Sequence, residues 1–262
     1  MTLVLVSVLF YLLATGLLVT GLQGNRSRSR YWAGPAVVAL VAHALVHAHA
    51  WQDSGGADMH FFAALSLVGL GMALLTTLVG LGGRMAALGV VVYPLASTML
   101  LLCAAKGHGA ATSAPLDWRL QLHAWLALLA YATLAVSALL AIMLWLQERA
   151  LRRREFHRWL RALPPLVELE TLLFRTISAG FVLLSATLLT GILFVENLLA
   201  QHLVHKTVLS LLSWLTFGAL LVGRWRYGWR GATAVRWTLT AMVLLVLAFF
   251  GSKFMLELVL GH

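Results

Sequence analysis

Eight stretches of about twenty apolar residues, separated by short polar loops, leave this chain of 262 residues with one workable environment. Crossing a hydrocarbon core about 30 Å thick takes about 20 mainly apolar residues in a helix. The stretches run over 3–22, 33–51, 60–80, 86–104, 121–146, 175–198, 204–223 and 236–260. Hydrophobic residues make up 61% of the chain and charged residues 11%, against roughly 45–50% and about 25% in soluble domains. A water-soluble globule of this size has no core large enough to hide that much apolar surface. The ten-residue alternation of a membrane β-barrel is absent. The expectation is an all-α polytopic membrane protein: one transmembrane domain over 1–262, a bundle of eight transmembrane helices. The first stretch has no basic residues before Leu3 and carries Arg26, Arg28 and Arg30 after it, so it reads as a retained helix and not as a signal peptide.

The net charge of +10 could mark a nucleic-acid binder, and the placement of the basic residues decides the matter. With the N-terminus outside, the inner loops hold Arg26, Arg28, Arg30, Arg84, Arg149, Arg152, Arg153, Arg154, Arg158, Arg161, Arg175, Arg224, Arg226, Arg230 and Arg236. The outer side holds only Lys106, Arg119, Lys206 and Lys253. Such a bias is the positive-inside rule at work, and it puts both termini on the outer, periplasmic side of a bacterial inner membrane. No nucleic-acid partner is implied. Pro164 and Pro165 divide the inner loop 147–174 into a basic stem continuing the fifth helix and a short amphipathic helix from Leu166 to Arg175. Its charge reads as topological, in contact with anionic lipid; docking of a cytoplasmic partner is the alternative.

Histidine follows the opposite rule. Of ten histidines only His157 falls inside, whereas His43, His47, His49, His60, His108, His123, His202, His205 and His262 fall in outer loops or outer halves of spans. His43 and His47 are four apart in VAHALVHAHAW and so share a helix face. His43 lies about 12 Å below the Trp51 end at 1.5 Å per residue, well inside the hydrocarbon. His123 heads the fifth helix, His202 and His205 lie where the seventh enters, and His262 follows the eighth. Imidazole stays neutral at low dielectric and offers one ring nitrogen to iron, zinc or copper. Two imidazoles from different helices can hold haem iron axially while apolar and aromatic side chains wrap the porphyrin. Trp51, Phe61, Phe62, Trp118, Trp125 and Tyr131 lie near that level. An isolated intramembrane histidine is often only a helix-to-helix hydrogen bond, but polar groups at depth are costly and a set of them marks function.

Other chemistry is poorly supplied. The single cysteine, Cys103, excludes an internal disulfide, and no CxxCH is present for covalent haem attachment. Asp53, Asp58, Asp117 and Glu196 show no HExxH-type zinc spacing, and no GxSxG occurs. Glu257 and Lys253, four apart, read as a local ion pair.

The run LHAWLALLAYATLAVSALLAI (122–142) and its basic stem resemble the histidine-led helix of the CcsA/CcmC-type cytochrome c assembly proteins. The likeness continues through RALPPLVELETLLF (161–174), ISAGFVLLSATLLTGILF (177–194), HKTVLSLLSWLTFGALLVGRWRYGWRGATAVRW (205–237) and FFGSKFMLEL (249–258). It covers about 120–262 well and the first four helices more loosely, and it is nearest to the short YpjD/HemX-like branch. The resemblance implies a haem-handling membrane protein in which His123 matches the first of two outer axial histidines and His262 is the counterpart of the second. In long members a Trp-rich outer loop, the WWD segment, presents haem to apocytochrome. Here the corresponding segment, VENLLAQHLVHK (195–206), contains no tryptophan, and the internal histidine of long members falls near Val222. His43 or His47 with His202 or His205 forms an alternative ligand pair.

The sequence is therefore read as an inner-membrane protein that binds or moves haem b, non-covalently, through His123 and His262, with His43, His47, His205 and His202 as second-tier ligands. The role expected is accessory or regulatory in cytochrome c assembly, without covalent catalysis of its own. Membrane lipid and other inner-membrane or haem-handling proteins are the implied partners. Two rivals stand beside it: a non-haem structural or regulatory subunit that kept the fold, and a metal or small-solute transporter using the same histidines. Alkaline phosphatase joined after His262 is expected to be active and joined within 155–164 inactive; the reverse pattern would overturn the assigned orientation.

Overall fold

The computed structural model describes residues 1–23, 30–54, 60–82, 86–106, 117–154, 165–194 and 201–251. Eight helices account for them: α1 (Thr2–Gln23), α2 (Ala33–Ser54), α3 (Phe61–Leu81), α4 (Gly89–Lys106, entered through a 3-10 turn, Ala86–Leu88), α5 (Trp118–Arg152), α6 (Leu166–Phe194), α7 (Gln201–Tyr227) and α8 (Gly231–Val246, leading into a π-turn, Leu247–Gly251). Eight segments built on them are long and apolar enough to cross a membrane, so the all-helical, multi-span expectation holds.

One boundary differs from the sequence reading for a local reason. The expected short helix over Leu166–Arg175 is the first part of α6, which runs unbroken for 29 residues. Nothing in RTISAG interrupts it, because Pro165 lies just before its first residue, where a missing N–H costs nothing. The basic stem does extend α5, a helix of 35 residues. At 1.5 Å per residue its length is about 50 Å, well beyond the apolar layer. It stops at Arg153 and Arg154, the latter at φ 56°.

The helices fall into two compact units, α1–α4 and α5–α8. In the first, α1 packs on α2 and α4, and α3 on α4 and α2; in the second, α5 packs on α6 and α8, and α7 on α8 and α6. Each unit is therefore an up-and-down ring of four helices of the kind short connections favour. Side chains are distributed as lipid requires. Leu5, Leu9, Val182, Leu189, Ile192 and Leu193 stand exposed, while Ala14, Ala36, Ala39, Ala64 and Ala73 are fully buried. Lipid tails are as apolar as leucine, so burying leucine between helices gains little, whereas alanine and glycine let backbones approach.

The α5–α6 contact shows this most tightly. A Cβ at Gly180 would lie 2.5 Å from Cδ2 of Leu134, which is itself fully buried. Overpacking such a site costs about 1–3 kcal/mol. Gly180→Val is expected to lower the thermal midpoint of the detergent-purified protein, whereas Gly16→Ala, with nothing within 4 Å of the added carbon, is expected to leave it unchanged or raised.

Candidate functional site

Within the α1–α4 unit, His43 and His47 come together as their spacing predicts, on a partner the sequence reading missed. Their rings stack at 5.5 Å and 27°. Both Nε2 atoms reach one hydroxyl, Ser66 Oγ on α3, at 2.9 Å from His43 and 3.0 Å from His47. Nδ1 of His43 lies 3.2 Å from Tyr11 Oη on α1. Tyr11, His43 and Ser66 are each 0% exposed, and His47 is half-buried.

Hydrogen counting orders this chain. A buried phenol must place its hydrogen, and the acceptor in reach of Tyr11 is His43 Nδ1. His43 then carries its hydrogen on Nε2 and donates it to Ser66 Oγ; the single Ser66 hydrogen is left for Nε2 of His47. Both ring nitrogens of His43 are thereby engaged. Beyond Tyr11, the Tyr93 ring of α4 stacks on it at 5.7 Å and 22°, and Trp32 lies 6.4 Å from Tyr93.

The second histidine site belongs to the α5–α8 unit. His123, five residues into α5 and half-buried, sets Nδ1 3.1 Å from Thr190 Oγ1 on α6. Gly191 makes room for the ring, since a Cβ there would stand 3.1 Å from His123 Cε1. One aromatic pair, Trp118 with Phe194 at 6.1 Å, closes the same end of the α5–α6 contact. Neither Thr190 nor Gly191 stands out in the sequence; a small residue one turn from the end of an apolar span was the available signal.

The remaining predicted residues are less informative. His202 and His205 lie on the first turns of α7. His262 lies outside the described residues, as do His108 and His157. His49 is exposed, and His60 is the residue before α3, tilted against Phe62 at 6.4 Å. Tyr131, expected near the cofactor level, donates to the Leu245 carbonyl at 2.6 Å beside the π-turn and ties α5 to α8. Among the described residues, no three His, Cys, Asp or Glu side chains group as a metal-holding cluster.

An acidic residue unremarked in sequence organises the other end of this unit. Glu170 on α6, 8% exposed in its side chain, receives Arg230 at 2.9 and 2.6 Å, and Arg224 approaches at 3.4 Å. Its hydrogen bonds first, and its charge second, hold the Arg230 guanidinium above its ordinary pKa. Arg224 also donates to the Trp229 carbonyl at 3.3 Å and lies 4.7 Å over Phe174. The α7–α8 turn that brings these arginines together needs Gly228 at φ 66° and Gly223, where any Cβ would run into the Trp229 ring. Charges that appear topological in the sequence are thus partly structural.

A helical membrane protein whose two helix units each hold a hydrogen-bonded histidine between helices is the class these features define. The chain belongs to the cytochrome c assembly protein family, which matches residues 31–260. It is 31% identical to the inner membrane protein YpjD of Escherichia coli K12 over 97% of this chain and 98% of the relative. Over 56% of this chain and 55% of the relative it is 37% identical to a 28.8 kDa protein of Azospirillum brasilense. Protein HemX of Brevibacillus brevis is 29% identical over 49% of this chain and 48% of its own length. No solved structure matches the chain. With eight apolar helices and an inner-membrane relative matched end to end, it is a multi-pass protein of the inner membrane.

Removing the carboxylate that two arginines share leaves Arg230 without its carboxylate acceptor and Arg224 with the Trp229 carbonyl alone. Glu170→Ala is expected to lower the detergent thermal midpoint by roughly 3–6 °C, and Glu170→Gln, which keeps an acceptor oxygen, by less. Equal midpoints for all three proteins would show the cluster to be solvated charge.

Proposed function

We propose that this chain binds haem b non-covalently at the outer side of the inner membrane, with His123 as an axial ligand, and serves cytochrome c assembly as an accessory or regulatory haem-handling protein. The seat of His123 carries the reading. The Thr190 hydroxyl hydrogen has the Ala186 and Thr187 carbonyls at 2.9 and 3.0 Å, and carbonyls only accept. Thr190 Oγ1 is then an acceptor for the ring, so Nδ1 holds the imidazole hydrogen and Nε2 keeps its lone pair. A ligating histidine needs that tautomer, fixed by a second partner at its other nitrogen. The family supplies the context of cytochrome c assembly.

When bound, haem supplies the iron that Nε2 ligates; the protein supplies orientation through Thr190 and Gly191 and an apolar aromatic setting. The second ligand would come from one of the histidines that the sequence offers, His262, His202 or His205. His43 is the weakest of the second-tier candidates, because Tyr11 and Ser66 occupy both its nitrogens. The tryptophan-free segment 195–206 favours haem binding or transport over transfer to apocytochrome.

Protein purified from haem-replete cells, or mixed with haemin, is expected to show a Soret band that His123→Ala largely abolishes. Adding imidazole to His123→Gly is expected to restore it. Thr190→Val is expected to weaken haem affinity roughly 10- to 100-fold, the range for loss of a ligand's supporting hydrogen bond. No Soret band under either condition would overturn the proposal in favour of a non-haem subunit of the same fold.

A further inference from the structure

In the α1–α4 unit, we infer a second activity that the haem site does not use: Tyr11 is a one-electron donor whose phenolic proton passes to His43 and on through Ser66 to His47. Three observations carry the inference. Tyr11 is fully buried, so its proton has no direct route to water, and its hydroxyl faces an imidazole nitrogen at 3.2 Å. That imidazole is itself the start of a chain in which every group can both give and take a hydrogen, at 2.9 and then 3.0 Å, ending on half-buried His47. The Tyr11 ring stacks on Tyr93, and Trp32 lies tilted beyond it at 6.4 Å, a row of aromatic rings along which an electron can move.

Proton affinities explain why the arrangement suits oxidation and not simple acid–base transfer. An ordinary phenol titrates near 10 and an imidazole near 6.5, a gap of about 3.5 units that keeps the proton on resting Tyr11. Loss of an electron turns the phenol into a strong acid and reverses the gap. Tyr11 then loses one electron to the oxidant and its O–H proton to His43 Nδ1. The Nε2 proton of His43 moves to Ser66 Oγ, and the Ser66 proton moves to Nε2 of His47. The products are a neutral Tyr11 phenoxyl radical, the reduced oxidant and one positive charge on His47. Tyr93 lacks this outlet: its hydroxyl meets Thr77 Oγ1 at 3.0 Å, and Thr77 directs its hydrogen to the Ala73 carbonyl at 2.7 Å. Tyr93 relays the electron, and the radical rests on Tyr11, which has the base. The oxidant is of the class that haem and peroxide generate together; this physiological source rests on the haem reading, whereas the tyrosine chemistry does not.

The test uses full-length, haem-free protein in detergent, oxidised by flash-generated ruthenium(III) tris-bipyridine and freeze-trapped for electron paramagnetic resonance. A tyrosyl signal is expected in the wild type, to form more slowly but with the same spectrum in Tyr93→Phe, which removes the relay and keeps the radical site, and to be lost in Tyr11→Phe. His43→Phe removes the base and is expected to slow oxidation roughly 100-fold, the scale of a positioned proton acceptor. Wild-type protein labelled with 15N-histidine is expected to show nitrogen coupling to the radical in double resonance, a readout independent of how any variant folds. A signal that survives in Tyr11→Phe, or a wild-type radical without histidine coupling, would reduce the chain to a hydrogen-bonded helix anchor. Because no haem is present, either result stands apart from the Soret experiment.

Discussion

Hydrocarbon offers no hydrogen bonds, and nearly every feature of this protein follows from that. A polar atom carried into the membrane must find its partner on a neighbouring helix or on its own backbone. Most serine and threonine hydroxyls here turn back to the carbonyl four residues earlier, as Ser97, Ser137 and Thr238 do. The exceptions tie helices together. Ser7 donates to the Ala39 carbonyl, Ser213 to the Ala241 carbonyl, and Trp214 to Ser185 Oγ. Helix packing then needs only small residues at the crossings, because large apolar side chains are as well placed against lipid as against each other.

The same rule gives the histidines their settings. A neutral imidazole has one donor and one acceptor, and a single tautomer satisfies both only if the neighbours are complementary. His43 has both nitrogens satisfied by Tyr11 and Ser66, and His123 has one held by Thr190. These are two different chemical situations from one residue type. A saturated imidazole is a conductor or an anchor; an imidazole held at one nitrogen is suited to bind at the other. The proposed division of labour between the two helix units rests on that difference.

Much of the architecture was legible in advance because it depends on length and composition. Eight apolar runs became eight helices, and the family resemblance, carried mainly by residues 120–262, extends over nearly the whole chain. Where the reading missed, the cause was local. The start of α6 reads in the sequence as a separate short amphipathic helix because Pro164 and Pro165 precede it, yet it is continuous with the span and its Glu170 is buried. Its charge is tolerable there because Arg224 and Arg230 reach it from a turn more than fifty residues away. No local pattern reports a partner at that separation.

The amino-acid sequence by itself determined the environment, the helix count and the sorting of arginine from histidine along the chain. These depend on the transfer of each segment between water and lipid, a property of composition over some twenty residues. Only the tertiary structure decided which histidine is hydrogen-bonded at both ring nitrogens and which is held at one. That choice depends on single atoms of Tyr11, Ser66, Thr190 and Gly191, brought into reach by packing between helices. Hydrogen bonds act over about 3 Å and have direction, so two histidines of apolar spans become different groups once their neighbours are set.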